Sequence, residues 1–244
     1  MGGACAALGL GACGSGADET SGSSDVGSDL PQGSEHVSID PSEFTTDIDN
    51  AYWPMAPGSR WVYSEEEDGA SQRVVVTVTN DTKTIAGIEA RVVHDVVSDH
   101  GVTVEDTHDW YSQDSAGNIW YFGEDTTEYE HGKPASHEGS FEAGVDGAEP
   151  GIALPAEPAA GMAYREEYKP GEAEDQAGVL STDAQAEVPF GHFRDAVLTS
   201  NTNPLEPKVQ EYKLYARGVG PVMELLVSGG SGRTQLLSFH PGAG

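Results

Sequence analysis

The chain has 244 residues, of which 41 are Asp or Glu and 12 are Lys or Arg, so its formal net charge at pH 7 is −29. This acidic excess argues against nucleic-acid binding and against electrostatic docking on anionic lipid, because both require a basic surface. No apolar run reaches the roughly 18 residues that predict a transmembrane helix.

The N-terminus resembles the signal of bacterial lipoproteins. In that family small residues precede a cysteine that becomes lipidated, and Leu10-Gly11-Ala12-Cys13 is similar to this lipobox. Few residues precede the box and none is basic, so we expect the recorded start to lie inside a longer signal. The resemblance implies that residues 1–13 are the signal, that Cys13 carries a lipid, and that the protein is extracytoplasmic and lipid-anchored to a bacterial membrane. The alternative is a flexible Gly/Ala terminus with a chance cysteine.

Residues 14–50 predict a disordered acidic tether between this signal and a folded domain. Residues 1–50 contain nine Asp or Glu, no Lys or Arg, and only one of the 19 aromatic residues of the chain, Phe44. Such a segment buries too little apolar surface to offset the entropy of ordering it. Residues 51–240 contain the other aromatic residues and all 12 basic ones, which predicts a single domain with its own core.

Runs of β-branched and aromatic residues predict that this domain is mainly β. Residues 60–138 predict a meander of five or six strands, with a hairpin turn at 99–101. Residues 139–183 are less regular and predict one short strand at 162–168 and one helical turn at 172–177. Five further strands are predicted at 184–190, 192–201, 209–217, 221–228 and 233–239. Because no βαβ alternation occurs, we expect a large curved antiparallel sheet or half-barrel.

Three segments carry a resemblance to bacterial exported lipoproteins of unassigned function. They read YWPMAPGSRWVY at 52–63, VPFGHF at 188–193 and YARGVGPV at 215–222. The order and spacing of these segments are similar to the family pattern YWPxxPGxxWxY, VPxGxF and YAxGVGxV. The resemblance implies a curved sheet broadly similar to the periplasmic lipoprotein-carrier folds, and it assigns no catalytic residues.

Four acidic residues on two neighbouring strands predict a candidate cation site. They are Asp106, Asp109, Glu124 and Asp125, with Trp and Tyr residues beside them. Carboxylate oxygens are the ligands that Ca²⁺ prefers, and a pair of carboxyl groups can also act as the acid and base of a glycosidase. The alternative is a solvated face on an acidic protein.

Aromatic residues supply a second candidate site. Trp61, Trp110, Trp120 and Tyr121 either pack in the core or form a concave wall for a small apolar or sugar-like ligand.

Cysteine and histidine patterns predict no zinc centre in the domain. Cys5 and Cys13, the two cysteines, both lie in the signal, which excludes disulfides and Cys-ligated metals from the folded part. The eight histidines are scattered, and none is followed by another at i+2 or i+4. We therefore expect no cofactor other than Ca²⁺.

Together these features predict a monomeric, membrane-tethered, non-enzymatic binding or envelope module of unknown ligand. One alternative is a carboxylate-dependent hydrolase acting on a glycan-type substrate. A second alternative is a Ca²⁺-binding β domain.

Overall fold

Sixteen strands form one antiparallel sheet that is nearly closed into a barrel in the computed structural model, which describes residues 30–67 and 69–243. The strands are β1 (Phe44–Thr45), β2 (Arg60–Glu67), β3 (Ala70–Ile85), β4 (Ile88–Asp99), β5 (Val102–Asp114), β6 (Ile119–Glu130), β7 (Lys133–Ser136), β8 (Phe141–Glu142), β9 (Glu149–Leu154), β10 (Ala163–Arg165), β11 (Glu167–Tyr168), β12 (Gln176–Val188), β13 (Gly191–Thr202), β14 (Gln210–Ala216), β15 (Gly220–Ser228) and β16 (Gly232–His240). The predicted large, curved antiparallel sheet is therefore confirmed.

Two meanders, β2 to β6 and β12 to β16, make up most of the sheet, and the pairing of β16 with β2 joins them. Tight turns set the register within the first meander. At the β4–β5 turn, His100 and Gly101 both have positive φ angles, of 48° and 81°. Two consecutive left-handed residues match the right-handed twist of paired strands, which favours a two-residue hairpin.

A connecting segment before β2 covers one end of the barrel. The indole of Trp53 packs there between Tyr111 and Tyr215, with ring centroids 5.6 and 5.8 Å away. The indole nitrogen of Trp61 donates a 2.7 Å hydrogen bond to the carbonyl of Val219 in the β14–β15 turn. Gly220 is required beside them, because a Cβ at this position would lie 2.7 Å from Cδ1 of Trp53. We call this the aromatic end of the barrel.

Residues 30–50 pack against the barrel, so the predicted disordered tether is wrong for this part. The guanidinium of Arg165 donates 2.8 Å hydrogen bonds to the carbonyls of Gly33 and Glu35. Phe44 begins β1, which pairs with β5, and Ile48 is 3% exposed. Backbone pairing and a few apolar contacts are enough to order a segment that has little hydrophobic content of its own. Residues 1–29, which include the predicted signal, Cys13 and the first part of the tether, lie outside the described residues.

The strands of the first meander and of the C-terminal region lie where the sequence predicts them. The middle of the chain differs from the prediction. It contains β8 and β9, which the sequence did not predict, and the predicted strand at 162–168 is divided into β10 and β11. β12 begins at Gln176, eight residues before the predicted 184. The predicted helical turn at 172–177 is wrong, because Lys169 and Ala173 form an isolated antiparallel bridge there instead. No helix in residues 30–67 and 69–243 is long and apolar enough to cross a membrane.

Candidate functional site

The end of the barrel opposite the aromatic end contains a cavity of about 330 Å³. It lies where β2, β4, β6 and β15 end and where β3, β5, β14 and β16 begin. Nine carboxylic acids and one basic residue, Arg233, line it. The acids are Glu65, Glu66, Glu67, Asp95, Glu105, Glu128, Glu130, Glu211 and Glu224. We call it the acidic cavity.

Strand pairing brings carboxylates from distant parts of the chain to this cavity. Thr234 of β16 pairs with Glu65 of β2 on one side and with Glu224 of β15 on the other. Asp95 of β4 pairs with Val76 of β3. Because alternate residues of a strand face the same side of a sheet, these side chains share the interior face.

Asp95 is the most unusual group in the acidic cavity. The residue is only 5% exposed, and its Oδ1 has no hydrogen-bond partner. Burial, together with the nearby charges of Asp109 and Glu105, raises the pKa of Asp95 to about 8. A buried carboxylate oxygen without a donor is costly, because the water that it loses on folding is not replaced.

Other acids of the cavity also have pKa values above their ordinary range. Burial, followed by the charge of Glu224, raises the pKa of Glu65 to about 7. Burial and then Glu224 also raise the pKa of Glu211 to about 7. Burial raises the pKa of Glu105 as well. These carboxyl groups therefore hold protons near neutral pH, and a bound cation would displace them.

One lysine, Lys213, faces the same interior from β14. Burial alone would lower the pKa of its ammonium, but the carboxylates of Glu166, Glu224 and Glu211 outweigh burial and raise it. Glu166 also accepts a 2.5 Å hydrogen bond from the side-chain amide of Asn201. Lys213 thus neutralises part of the interior but does not line the acidic cavity.

A separate pair of carboxyl groups lies deeper in the barrel, where Asp109 of β5 pairs with Glu124 of β6. The hydroxyl of Tyr121 is 2.9 Å from Oδ1 of Asp109 and 2.8 Å from Oε2 of Glu124. Burial and then the charge of Asp109 raise the pKa of Glu124 to about 8. Gly139 covers the pair, since a Cβ there would lie 2.9 Å from Oε1 of Glu124. The arrangement is a closed hydrogen-bonded pair rather than one open to a substrate.

The four acids predicted as one cation site do not come together. Asp109 and Glu124 lie inside the barrel and are 3% and 8% exposed. Asp106 lies beside His94, at 3.1 Å, on the other face, and Asp125 is exposed there. Because side chains alternate along β5, Asp106 and Asp109 lie on opposite faces of the sheet, and this separation divides the four acids between the two faces.

The predicted aromatic residues are buried in the core instead of lining the acidic cavity. Trp61, Trp110, Trp120 and Tyr121 are between 1% and 8% exposed. The indole nitrogen of Trp120 donates a 2.8 Å hydrogen bond to Asp114, and the ammonium of Lys83 lies 3.3 Å from the ring centroid of Trp110. Of the two alternatives that the sequence left open, their burial supports core packing.

Sequence reasoning missed the acidic cavity, although one signal was present. In β4, Val93, Asp95 and Val97 occupy alternate positions, so the sequence places a carboxylate on an apolar face. A charged residue in such a pattern indicates a buried site. The partners of Asp95 could not be found in this way, because they come from other strands.

No protein-family model matches the sequence, and no curated protein matches it. Two solved structures are similar in fold. One is a predicted exported protein with a YmcC-like fold from Bacteroides fragilis, with 13% identity, a TM-score of 0.45, and coverage of 78% of this chain and 99% of that chain. The other is a predicted lipoprotein from Parabacteroides distasonis, with 11% identity, a TM-score of 0.42, and coverage of 78% of this chain and 98% of that chain.

Proposed function

We propose that the protein is a non-enzymatic binding module that takes an organic cation into its acidic cavity. The observation that carries the proposal is Asp95, whose buried Oδ1 lacks a hydrogen-bond donor in a cavity lined by nine acids and one arginine. An ammonium group supplies both the positive charge and the N–H donor that this oxygen lacks.

The size and spread of the cavity favour a ligand with more than one amino group. A volume of about 330 Å³ falls in the range of small-molecule pockets and exceeds what a single ion fills. The carboxylates come from β2, β4, β5, β6, β14 and β15, so they surround the space rather than converge on one point. A short diamine or polyamine can meet several of them at once.

Titration calorimetry with putrescine, spermidine and CaCl₂ tests this proposal. We expect the amines to bind, and Asp95→Asn to weaken them by about 10- to 100-fold, because a hydrogen bond to a charged group contributes about 1.5–3 kcal/mol. Asp125→Asn, which makes the same substitution at an exposed position, is the matched control and should have little effect. Equal effects of the two substitutions would contradict the proposal, and Asp95-dependent binding of Ca²⁺ alone would favour the Ca²⁺-binding alternative.

The pH dependence of binding gives a second measurement. Asp95, with a pKa of about 8, and Glu65, with a pKa of about 7, must release protons before they can attract a cation fully. We therefore expect amine affinity to rise between pH 6 and pH 9, with protons released on binding. An amine affinity that falls between pH 6 and pH 9 would contradict the proposal that Asp95 and Glu65 bind the ligand.

We further propose that the protein acts outside the cytoplasm as a lipid-anchored module, one of the exported lipoproteins of unassigned function that its three motifs resemble. The support is the lipobox-like segment ending at Cys13. In a bacterial host, metabolic labelling with an alkyne fatty acid should mark the wild-type protein. Cys13→Ser should lose the label and leave the membrane fraction, whereas Cys5→Ser should keep both. A wild-type protein that takes up no label would overturn the proposed lipid anchor.

A further inference from the structure

The outer face of the barrel carries a group of metal-ligating side chains that is separate from the acidic cavity. His94 of β4 and His108 of β5 are direct cross-strand partners. Their imidazole rings stack with centroids 4.5 Å apart and planes inclined by 16°. Asp106, two residues before His108, lies on the same face. One ligand atom from each of the three side chains lies within 4.8 Å of the others.

The distances within this group suit a small metal ion. Nε2 of His94 is 3.1 Å from the Asp106 carboxylate, and Nδ1 of His108 is 3.5 Å from it. Ligands bound to a tetrahedral Zn²⁺ at about 2.0–2.1 Å lie roughly 3.3 Å from each other. One of the two observed distances is slightly shorter than this ligand–ligand distance and the other is slightly longer. Small side-chain rotations would therefore let all three groups bind one ion.

Access and charge also suit a cation. The side chains of His94, Asp106 and His108 are 34%, 32% and 46% exposed, so an ion can enter and the rings can adjust. The next residues along the same row are Thr77 of β3, opposite His94, and Asp125 of β6, opposite His108. A neutral hydroxyl and a carboxylate flank the pair, and neither repels a positive charge.

We propose that His94, Asp106 and His108 bind one Zn²⁺-class transition-metal ion on the outer face of β4 and β5. Two imidazoles and one carboxylate are typical ligands of Zn²⁺, and a three-residue set leaves a fourth position for water. On binding, the direct contact between His94 and Asp106 would be replaced by a bond from each of them to the ion. The site lies on the opposite face of the sheet from Asp95 and Glu105, so it does not depend on the cation that the acidic cavity is proposed to hold.

Zinc binding to the EDTA-treated full chain, measured by competition with a fluorescent chelator at pH 7.5, tests this site. The same measurement in the Asp95→Asn background removes binding that depends on Asp95 in the acidic cavity. We expect His94→Gln, His108→Gln and Asp106→Asn each to lower the affinity by more than about 100-fold, because even outer-shell partners contribute 10–100-fold. His192→Gln, on an exposed position of β13, should leave it unchanged.

Asp125→Asn is the matched control for charge, because it removes a carboxylate from the same face without removing one of the three ligands. It should lower zinc affinity by less than about fivefold, in keeping with exposed charge interactions. In the wild-type protein, the imidazole NMR signals of His94 and His108 should shift first on adding substoichiometric Zn²⁺. Equal effects of Asp106→Asn and Asp125→Asn, or shifts at other histidines instead, would overturn the site.

Discussion

The two ends of the barrel are built from the same strands yet have opposite chemistry. At the aromatic end, polar groups near the connecting segment find partners, as the hydrogen bond from Trp61 to Val219 and the one from the backbone N–H of Asn50 to Gln113 show. At the acidic end, Asp95 is buried with an unpaired oxygen, and several neighbouring carboxyl groups have raised pKa values.

This difference separates a part of the molecule that is optimised for stability from a part that is not. Aromatic packing and satisfied hydrogen bonds stabilise the fold, whereas buried acids without partners destabilise it. Unfavourable groups that cluster in one accessible cavity are typical of binding sites, where a ligand supplies the missing interactions. For this reason the acidic end is where we propose that a ligand binds.

The largest expected effect on stability concerns Asp95, at the acidic end. The pKa of Asp95 is about 8 in the folded protein against the ordinary value of 3.8, so the folded state holds a proton that the unfolded state has lost between these values. Stability should therefore fall as pH rises from 4 to 8. Asp95→Asn removes this penalty and should stabilise the protein by about 3 kcal/mol at pH 9, since each pKa unit corresponds to about 1.4 kcal/mol and water in the cavity reduces the total.

Urea unfolding of Asp95→Asn and wild type at pH 5 and pH 9 measures this effect. The substitution should matter little at pH 5, where Asp95 is already neutral. Asp125→Asn is the control at an exposed position, and its stability should be similar to that of the wild type at both pH values. A substitution at Asp95 that destabilises the protein at pH 9 would show that its carboxylate is satisfied.

A slightly smaller effect is expected at the aromatic end, for Gly220→Ala. The φ angle of Gly220 is +106°, and its Cβ would lie 2.7 Å from Trp53, so the substitution combines backbone strain with a steric clash. We expect a loss of about 2–3 kcal/mol in the free energy of unfolding.

Gly218→Ala is the matched control, because Gly218 also has a positive φ, of +73°, but has no atom within 4 Å of its Cβ position. It should lose about 1 kcal/mol from strain alone. Thermal unfolding followed by tryptophan fluorescence measures both variants. Equal losses would mean that Trp53 moves aside without cost.

The smallest effect concerns Tyr121, which lies between the two ends. Tyr121→Phe removes the hydroxyl that contacts both Asp109 and Glu124, and it should destabilise the protein by about 1–2 kcal/mol through two less satisfied buried carboxyl groups. Tyr212→Phe on β14, where the ring is half-buried, is the control and should change little. If Tyr121→Phe leaves the free energy of unfolding unchanged, Asp109 and Glu124 do not need the hydroxyl as a hydrogen-bond partner.

Much of the fold was predictable because local patterns act over short distances. The β4–β5 hairpin follows from a turn at His100 and Gly101 between two alternating, Val-rich segments. The start of β12 at Gln176 was missed because Gly178 and Asp183 have weak strand propensity, and pairing with β13 overrides this propensity. The sequence also failed to predict that residues 30–50 are ordered, because a distant residue fixes them. Arg165, more than a hundred residues away, donates hydrogen bonds to the carbonyls of Gly33 and Glu35.

The candidate sites were less predictable than the strands. Strand alternation separates Asp106 from Asp109, and this was visible in the sequence. That His94 stacks on His108 depends on the register of two strands, which a rule based on i+2 and i+4 spacing does not examine.

The amino-acid sequence by itself determined the β content, the meander and the acidic character of this protein, because propensity, alternation and composition are properties of neighbouring residues. Only the tertiary structure decided that Glu65, Asp95, Glu211 and Glu224 share one cavity and that His94, Asp106 and His108 share one point on the outer face. The physical reason is that both groups are assembled by the closure and register of the sheet, which join residues that no local pattern connects.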